Sequence, residues 1–419
     1  MYLASDNSEY DVTIIGGGPA GSTAGYILAK EGLKVLLLEK ETFPRFHVGE
    51  SLLPATNLVW ERLGIRQEME KMFLHKPGGR WFYNENYVQS DFSKPEKKAS
   101  FIDYPHAYSV ERAKFDNLLL ENAARAGVEV RQNSKVSDLS FEGEKLRGIK
   151  VSNTAGSSYE VSSKMVFDCS GLAAVIAQKL GMRHPNRHKR MAVYAHYEAE
   201  AIEECLKNGW FVGGMIADGW VWTIPLSPEV ISIGLVTTLE NYKEVKKSPE
   251  NYLSYAVDNL PYFKQAIKSN PRRISDVYCN SNIGYTSERF FGNGWVLVGD
   301  AAFFIDPCYS SGVHLAMKSA EMAADTFLNF HKTGYVSQKS FSKYEKHMRK
   351  HEEVLNKFVA TFYMTTNNTK LRDLTPRHAP SLNKEFATFT GGDFDKNHHL
   401  INFSYRMGQL FTLLFPDRN

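Results

Sequence analysis

Asp11-Val12-Thr13-Ile14-Ile15-Gly16-Gly17-Gly18-Pro19-Ala20-Gly21 is the stretch whose reading decides the fold. A short apolar run of this kind fits a buried parallel strand, and it empties into glycines with separate tasks. Gly16 permits the tight turn, Gly18 lets the backbone approach a pyrophosphate, and Gly21 lets the following helix pack close to the strand. The helix that follows shows helical periodicity from Ala20 to Glu31 and stops at Gly32. Its N-terminus aims N–H groups and a positive dipole end at the phosphates. Lys34-Val35-Leu36-Leu37-Leu38 is the second strand. Glu39 and Lys40 end it, placing an acid roughly 20 residues beyond the glycines, where it accepts from a ribose hydroxyl. Strand, turn, helix, strand and acid in this order make a dinucleotide-binding βαβ unit.

Working outward, Arg112 to Ala126 reads as a helix ended by Gly127, with a strand at Val128 to Val130. Met165 to Asp168 reads as a strand returning to the same sheet. From Met191 to Ile274 the pattern changes to successive strands, at Ala192–Tyr197, Gly219–Leu226 and Val230–Val236, which suggests a mainly antiparallel sheet able to wall a substrate pocket. Gly294 to Asp300 returns to a buried strand; Gly312 to Thr326 and Tyr344 to Phe362 read as helices. The chain is therefore expected to be α/β. A Rossmann-like cofactor domain is assembled from residues 1–80, 107–185 and 280–330. It is interrupted by a sheet domain from 81–106 and 186–279 and followed by a helical segment, 331–419.

Composition sets outer bounds. With 419 residues, 43% hydrophobic and 23% charged, the chain suits a soluble globular enzyme. A net charge of +3 without a basic run interleaved with aromatics gives no case for nucleic acid. The densest basic stretch, His184 to Arg190, reads as a solvated loop. Cys169, Cys205, Cys279 and Cys308 are scattered, which fits free thiols in a reducing compartment and neither a disulfide framework nor a thiolate metal site. No metal is expected. Met1 to Asp11 is polar, so no signal peptide is expected. No apolar run reaches the roughly 18 to 20 residues of a membrane span. The expected location is cytoplasmic.

The second informative stretch is Gly299-Asp300-Ala301-Ala302-Phe303-Phe304-Ile305-Asp306-Pro307-Cys308-Tyr309-Ser310-Ser311-Gly312-Val313-His314. Asp300 at a strand end can accept from the ribityl hydroxyls of a flavin while the next helix starts near its pyrophosphate. This favours FAD over NAD, although an Asp capping the following turn fits the same pattern. Arg45 and Arg112 are candidate cofactor contacts and are equally readable as ion-pair residues.

These residues resemble the flavin-dependent halogenases, within the superfamily of aromatic hydroxylases and prenyl reductases. Phe43-Pro44-Arg45-Phe46-His47-Val48-Gly49-Glu50-Ser51-Leu52-Leu53-Pro54 is similar to the strap beside the flavin ring in that family. Trp220-x-Trp222-x-Ile224-Pro225 matches its Trp-x-Trp-x-Ile-Pro motif, and Phe304, Pro307, Ser310 and Gly312 match a second one. Lys76, in His75-Lys76-Pro77-Gly78-Gly79, stands where the family has its catalytic lysine. The resemblance covers roughly residues 10 to 330. It implies FAD contacts from Gly49, Glu50, Ser51, Pro307, Gly312 and Val313, and a halide site at Ser311 and Gly312, where main-chain amides enter a helix. A plain helix-capping role for Ser310 or Ser311 fits equally.

The chemistry implied is oxidation of chloride or bromide by reduced FAD and O₂ to hypohalous acid, guided to Lys76 for attack on an electron-rich organic substrate. Trp220 and Trp222 share one strand face; in the family such a pair keeps substrate from the flavin. Tyr309 replaces the acid that tryptophan halogenases carry before the serine pair, as in the branch acting on phenols, pyrroles or activated carbons. Little chain after Thr369 is left for a substrate cap, which suits a bulky or carrier-tethered substrate. Only one dinucleotide fingerprint is present, so a separate flavin reductase is the expected partner. An FAD-dependent monooxygenase and a geranylgeranyl reductase-like double-bond reductase on the same scaffold remain alternatives.

Overall fold

The N-terminal apolar run forms the strand Tyr10–Ile15, and every neighbour it recruits runs parallel to it. In a computed structural model describing residues 9–83, 86–153, 156–216, 219–245, 248–268, 270–332, 338–367, 384–396 and 399–414, this strand lies between Ser163–Asp168 and Val35–Leu38. Trp295–Leu297 adds beyond the former and Glu129–Arg131 beyond the latter, both parallel. An antiparallel edge strand, Phe291–Gly292, completes six. Val35–Leu38 and Trp295–Leu297 are unbroken apolar runs, fully buried because both faces of the sheet are covered there. Pro19–Lys30 and Ser311–Lys332 pack side by side on the sheet, and Arg112–Arg125 packs against the first. Val12, Ile14, Leu36, Leu37, Phe167, Val296 and Leu297 are fully buried.

The second large sheet runs in the order Phe303–Phe304, Tyr278–Ser287, Arg183–Glu198, Val230–Thr238, Gly219–Pro225, Phe211–Ile216, Gly78–Tyr83, Asn86–Asp91. It is antiparallel throughout except where Phe211–Ile216 runs parallel to Gly78–Tyr83. Its two faces have separate cores. Val193, Val221, Ile233 and Leu235 face the helices Pro249–Asn259 and Pro261–Ala266. Trp81, Tyr194, Trp220 and Trp222 face the opposite way, against Cys308, Phe362 and Tyr363. The alternation expected for Trp220, Val221 and Trp222 is thus what divides the two cores.

One sequence reading is corrected. The basic stretch His184 to Arg190 lies within the strand Arg183–Glu198 and not in a loop. Its pairing with Tyr278–Ser287 is irregular between Pro185 and Arg190. Arg190 is buried, its guanidinium 3.3 Å over the Tyr363 ring and 3.9 Å from Asp306. A third sheet, Ser134–Glu142, Lys145–Asn153 and Ser158–Val161, has no counterpart in the sequence reading. The C-terminal segment carries the helices Ser342–Asn367 and His399–Leu414, with a shorter helical stretch at 384–390. No helix among the described residues is long and apolar enough to cross a membrane.

Candidate active site

The glycine turn is set by backbone approach. Gly16 has φ +102°, and a Cβ there would sit 2.5 Å from the Cys169 carbonyl oxygen. A Cβ on Gly21 would sit 1.9 Å from the Gly16 carbonyl oxygen, which closes the helix onto the strand. A Cβ on Gly18 would meet nothing nearer than Arg45 Nη2, at 3.7 Å. The turn is therefore sealed against the sheet and open at Gly18. Just behind it lie Pro19, Ala20 and Gly21, at a helix start that no side chain caps. Gly16→Ala is expected to lose roughly 2 kcal/mol or more, from strained φ plus a backbone clash, read as a fall in thermal midpoint.

Glu39 is buried and accepts from the Gly17 N–H at 2.7 Å and the Glu41 N–H at 2.8 Å, so its carboxylate is fixed beside the turn. Lys40, next to it, is exposed. Asp300 follows the strand Trp295–Leu297 by three residues and is only partly exposed. Burial raises its carboxyl to about 7, the Arg112 charge opposing. Its main-chain carbonyl accepts from the Tyr285 hydroxyl, while its carboxylate makes no hydrogen bond to a described residue. A polar group desolvated in this way without a partner suits a ligand that donates hydroxyls.

Arg45 and Arg112 are brought together by a residue that the sequence reading missed. Asp116, fully buried, takes Arg112 Nε and Nη2 at 2.7 and 2.9 Å and Arg45 Nη1 at 2.9 Å. Burial alone would raise the Asp116 carboxyl, but the two guanidiniums hold it below its ordinary value. Arg112 Nη1 also donates to the Val48 carbonyl at 2.5 Å. A Cβ on Gly49 (φ +100°) would come within 2.9 Å of the same nitrogen and 3.9 Å of Val313 Cγ2. The i, i+4 spacing of Arg112 and Asp116 on one helix was the signal that could have found this pair.

The strap Phe43 to Pro54 crosses from this cluster to the second sheet. Phe46 stacks on Tyr278 at 3.9 Å. Glu50 pairs with His196 Nε2 at 2.5 Å, both groups being buried or nearly so. Burial pulls the His196 pKa down, but the Glu50 hydrogen bond and charge outweigh it and leave it raised. The Leu52 N–H donates to the Tyr108 carbonyl and the Val110 N–H to the Glu50 carbonyl, so the strap lies alongside Ala107–Ser109. That strand pairs with Leu74–Lys76, Lys76 opposite Ala107.

Lys76 is 3% exposed. Its Nζ donates to the Leu52 carbonyl at 2.8 Å and faces the rings of Phe92 and Phe211 at 5.2 and 6.0 Å. No carboxylate among the described residues pairs with it. Burial alone brings its pKa from 10.5 to about 7.

The loop before the helix Ser311–Lys332 meets the strap from the other side. Ser310 has φ +58°, in the left-handed region, and its Oγ donates to Ser51 Oγ at 3.0 Å. Ser311 is buried, and a Cβ on Gly312 would meet only Phe304 Cε2, at 3.8 Å. Pro307 is half-buried, and Asp306 beside it accepts from the Cys308 N–H at 3.0 Å and the Tyr363 hydroxyl at 2.9 Å. Tyr363 in turn accepts from Trp220 Nε1 at 3.2 Å, and Trp222 Nε1 donates to Ser232 at the same distance. Trp220 and Trp222 lie 5.4 Å apart, and Trp81 links Trp220, Tyr309 and Phe211 at 5.4, 5.8 and 5.1 Å. Aromatic rings thus form one continuous wall from the Ser310 loop to Lys76.

A family model described as tryptophan halogenase matches residues 11–80 and 74–397. The match runs past residue 330, and residues 384–396 fold back onto this region, where Gly391 accepts from the Ala55 N–H at 2.9 Å. A 1H-pyrrole-2-carbonyl-[peptidyl-carrier protein] chlorinase of Pseudomonas fluorescens is 31% identical over 379 residues, 85% of this chain and 84% of that one. A tryptophan 2-halogenase of Chondromyces crocatus is 35% identical over 323 residues, 76% of this chain and 60% of that one. Among solved structures, a triple mutant of the flavin-dependent brominase Bmp2 superposes with a TM-score of 0.85 at 26% identity, covering 97% of this chain and all of that one. With a glycine turn, a strap and an unpaired interior lysine arranged as above, the chain belongs to the tryptophan halogenase family of flavin-dependent halogenases and is an FAD-dependent oxidoreductase.

Proposed function

We propose that the protein halogenates an electron-rich organic substrate, with chloride or bromide as the halogen source and Lys76 as the group that receives and redirects the oxidised halogen. The observation that carries this reading is the burial of Lys76 without a counter-ion, next to a main-chain carbonyl of the strap. An ordinary structural lysine reaches water or a carboxylate; this one does neither.

The open turn at Gly18, the uncapped helix start and the unpartnered Asp300 carboxylate fit FAD. Gly16, Gly18, Pro19, Ala20 and Gly21 would hold its pyrophosphate, with Glu39 and Lys40 at the adenosine ribose and Asp300 at the ribityl chain. Gly49, Ser51, Pro307, Gly312 and Val313 would border the ring. Arg45 and Arg112 act through Asp116, and Glu50 through His196, by fixing the strap. When bound and reduced, FAD supplies with O₂ the two-electron oxidation of halide to hypohalous acid. The Ser311 and Gly312 amides, at the start of a 22-residue helix, would hold the halide.

Lys76 then acts by its lone pair. With a pKa near 7, about half of the amine is neutral at pH 7. Its nitrogen takes the halogen from hypohalous acid as the O–X bond breaks and water leaves, giving a haloamine. The substrate carbon takes the halogen from that nitrogen and loses a proton, which restores the amine. Trp220 and Trp222, held by Tyr363 and Ser232, keep the substrate on the lysine side.

Tyr309, packed 4.2 Å from Phe358, puts an apolar ring where an acid would assist a less reactive substrate. This supports a phenol or pyrrole. The carrier-protein substrates in the names of relatives such as the Pseudomonas fluorescens chlorinase support a tethered one. A separate reductase would supply reduced FAD, in a cytoplasmic setting that suits four free cysteines. The test is product analysis with FAD, a flavin reductase, NADH, bromide or chloride, and free or carrier-bound phenols and pyrroles. A product carrying halogen is expected. Oxygenated product alone, unchanged by halide, would give the protein to the monooxygenases.

A further inference from the structure

We propose that His347, His351 and Asp395 form a divalent transition-metal site, with Zn²⁺ its best-suited ion, that pins the C-terminal segment against the back of the active site. The helix Ser342–Asn367 places His347 and His351 one turn apart on a single face. Asp395, from the segment that folds back, puts its Oδ1 2.8 Å from both Nε2 atoms. One oxygen serves the two imidazoles unequally. His351 makes an aligned hydrogen bond to it, whereas His347 Nε2, at the same distance and in an ion-pair position, is not aligned for one.

Two imidazole nitrogens and a carboxylate oxygen converging on one point make the donor set of a zinc centre with one open position. Bond lengths of about 2.0–2.2 Å in a tetrahedron separate ligand atoms by about 3.4 Å. Each imidazole nitrogen must draw back from the Asp395 oxygen by about half an ångström to admit the ion, and the ion would then give His347 Nε2 an aligned partner. His351 is buried and anchors the group, while His347 and Asp395 are a third to a half exposed and give the ion an entrance. Lys350 Nζ donates to the Asp395 carbonyl at 2.7 Å, fixing the ligand's backbone from outside the metal shell. The scattered cysteines exclude a thiolate site and leave this one untouched.

The segment held in this way is part of the interior. Thr390 bonds Ser90 at 2.5 Å, Gly391 accepts from Ala55, and the Phe394 ring lies 5.6 Å from His314, on the helix that starts at Ser311. The metal would brace that wall without touching the reacting atoms.

Full-length protein, stripped of metal with a chelator and freed of any purification tag, is titrated with Co²⁺ and then Zn²⁺. Expected are visible ligand-field absorption of a tetrahedral N/O site and its displacement by one equivalent of Zn²⁺. The thermal midpoint should rise by about 3 °C at 100-fold excess over Kd, and proteolysis within residues 384–396 should slow. His347→Ala and Asp395→Asn should each weaken Co²⁺ binding at least about 100-fold while keeping the metal-free midpoint within about 2 °C of wild type. Absence of the cobalt spectrum overturns the proposal. So does a spectrum that survives both substitutions and is lost in His106→Ala, since that locates the metal at Glu70, His75 and His106, a more exposed group with ligand atoms similarly close.

Discussion

Lys76→Met is expected to abolish halogenation, by at least about 10³-fold in kcat, while flavin binding persists and the protein becomes more stable. The activity loss follows from the proposed role of the nitrogen: methionine fills the same apolar pocket and has no amine to take up halogen. The gain in stability follows from linkage. The folded pKa lies near 7 against 10.5 for an ordinary lysine. Below pH 7 both states hold the proton and the full cost of burying the charge falls on the fold. Between about 7 and 10.5 the unfolded chain binds the proton and the folded one does not, so stability climbs with pH. At about 1.4 kcal/mol per unit the shift amounts to about 5 kcal/mol. Losing the hydrogen bond to the Leu52 carbonyl offsets a few kcal/mol of that. A net gain of roughly 2 kcal/mol is expected at pH 7, read from denaturant unfolding. Wild-type stability should rise between pH 7 and 9 relative to the variant. The rate of the chemical step gives an independent check. It rises as pH passes through 7 where the neutral amine reacts, and falls where the ammonium only hydrogen-bonds hypohalous acid.

Asp116→Ala carries the other large effect. It strips the shared carboxylate from two guanidiniums, of which Arg112 is 5% and Arg45 12% exposed in the side chain. Removing one member of a buried ionic group costs roughly 3–5 kcal/mol, because the remaining charge stays desolvated. Arg112 also holds the Val48 carbonyl, so the strap loses its anchor, and the purified variant should come off the column without flavin absorbance. Asp116→Asn keeps the shape and one acceptor and should lose about half as much stability. A variant that keeps both its midpoint and its flavin would show that the arginines work independently of each other.

Much of the fold was legible because its signals are local. The βαβ opening sits within about 30 residues, and the helix after Gly312 follows from its own periodicity. What escaped was either non-local or irregular. Glu50 finds its partner in His196, on a strand 146 residues away. Arg190 lies in a run of basic residues that looks solvated until Tyr363 and Asp306 arrive from distant segments. The strand Ser134–Glu142 was missed because its alternation is broken: register shifts fall between Val136 and Asp138 and again between Ser140 and Phe141, leaving Leu139 as its one fully buried apolar residue. At the candidate site, motif spacing marked Lys76 and the Ser310 loop, and helix spacing offered Asp116 to Arg112, but the approach of Arg45 to Asp116 and of Tyr363 to Asp306 became visible only once chain folding joined segments distant in sequence.

Glu50, Ser51 and Leu52 touch His196, Ser310 and Lys76 in turn. Three consecutive residues span at most about 10 Å of extended chain. The gap from the loop proposed for the halide to the waiting amine is therefore ruled off by covalent bonds, like marks on a measuring stick. While the Ser310–Ser51 and Lys76–Leu52 hydrogen bonds hold, the strap keeps that gap short, so in the proposed reaction a diffusible and indiscriminate oxidant would have only a short way to travel to its receiver.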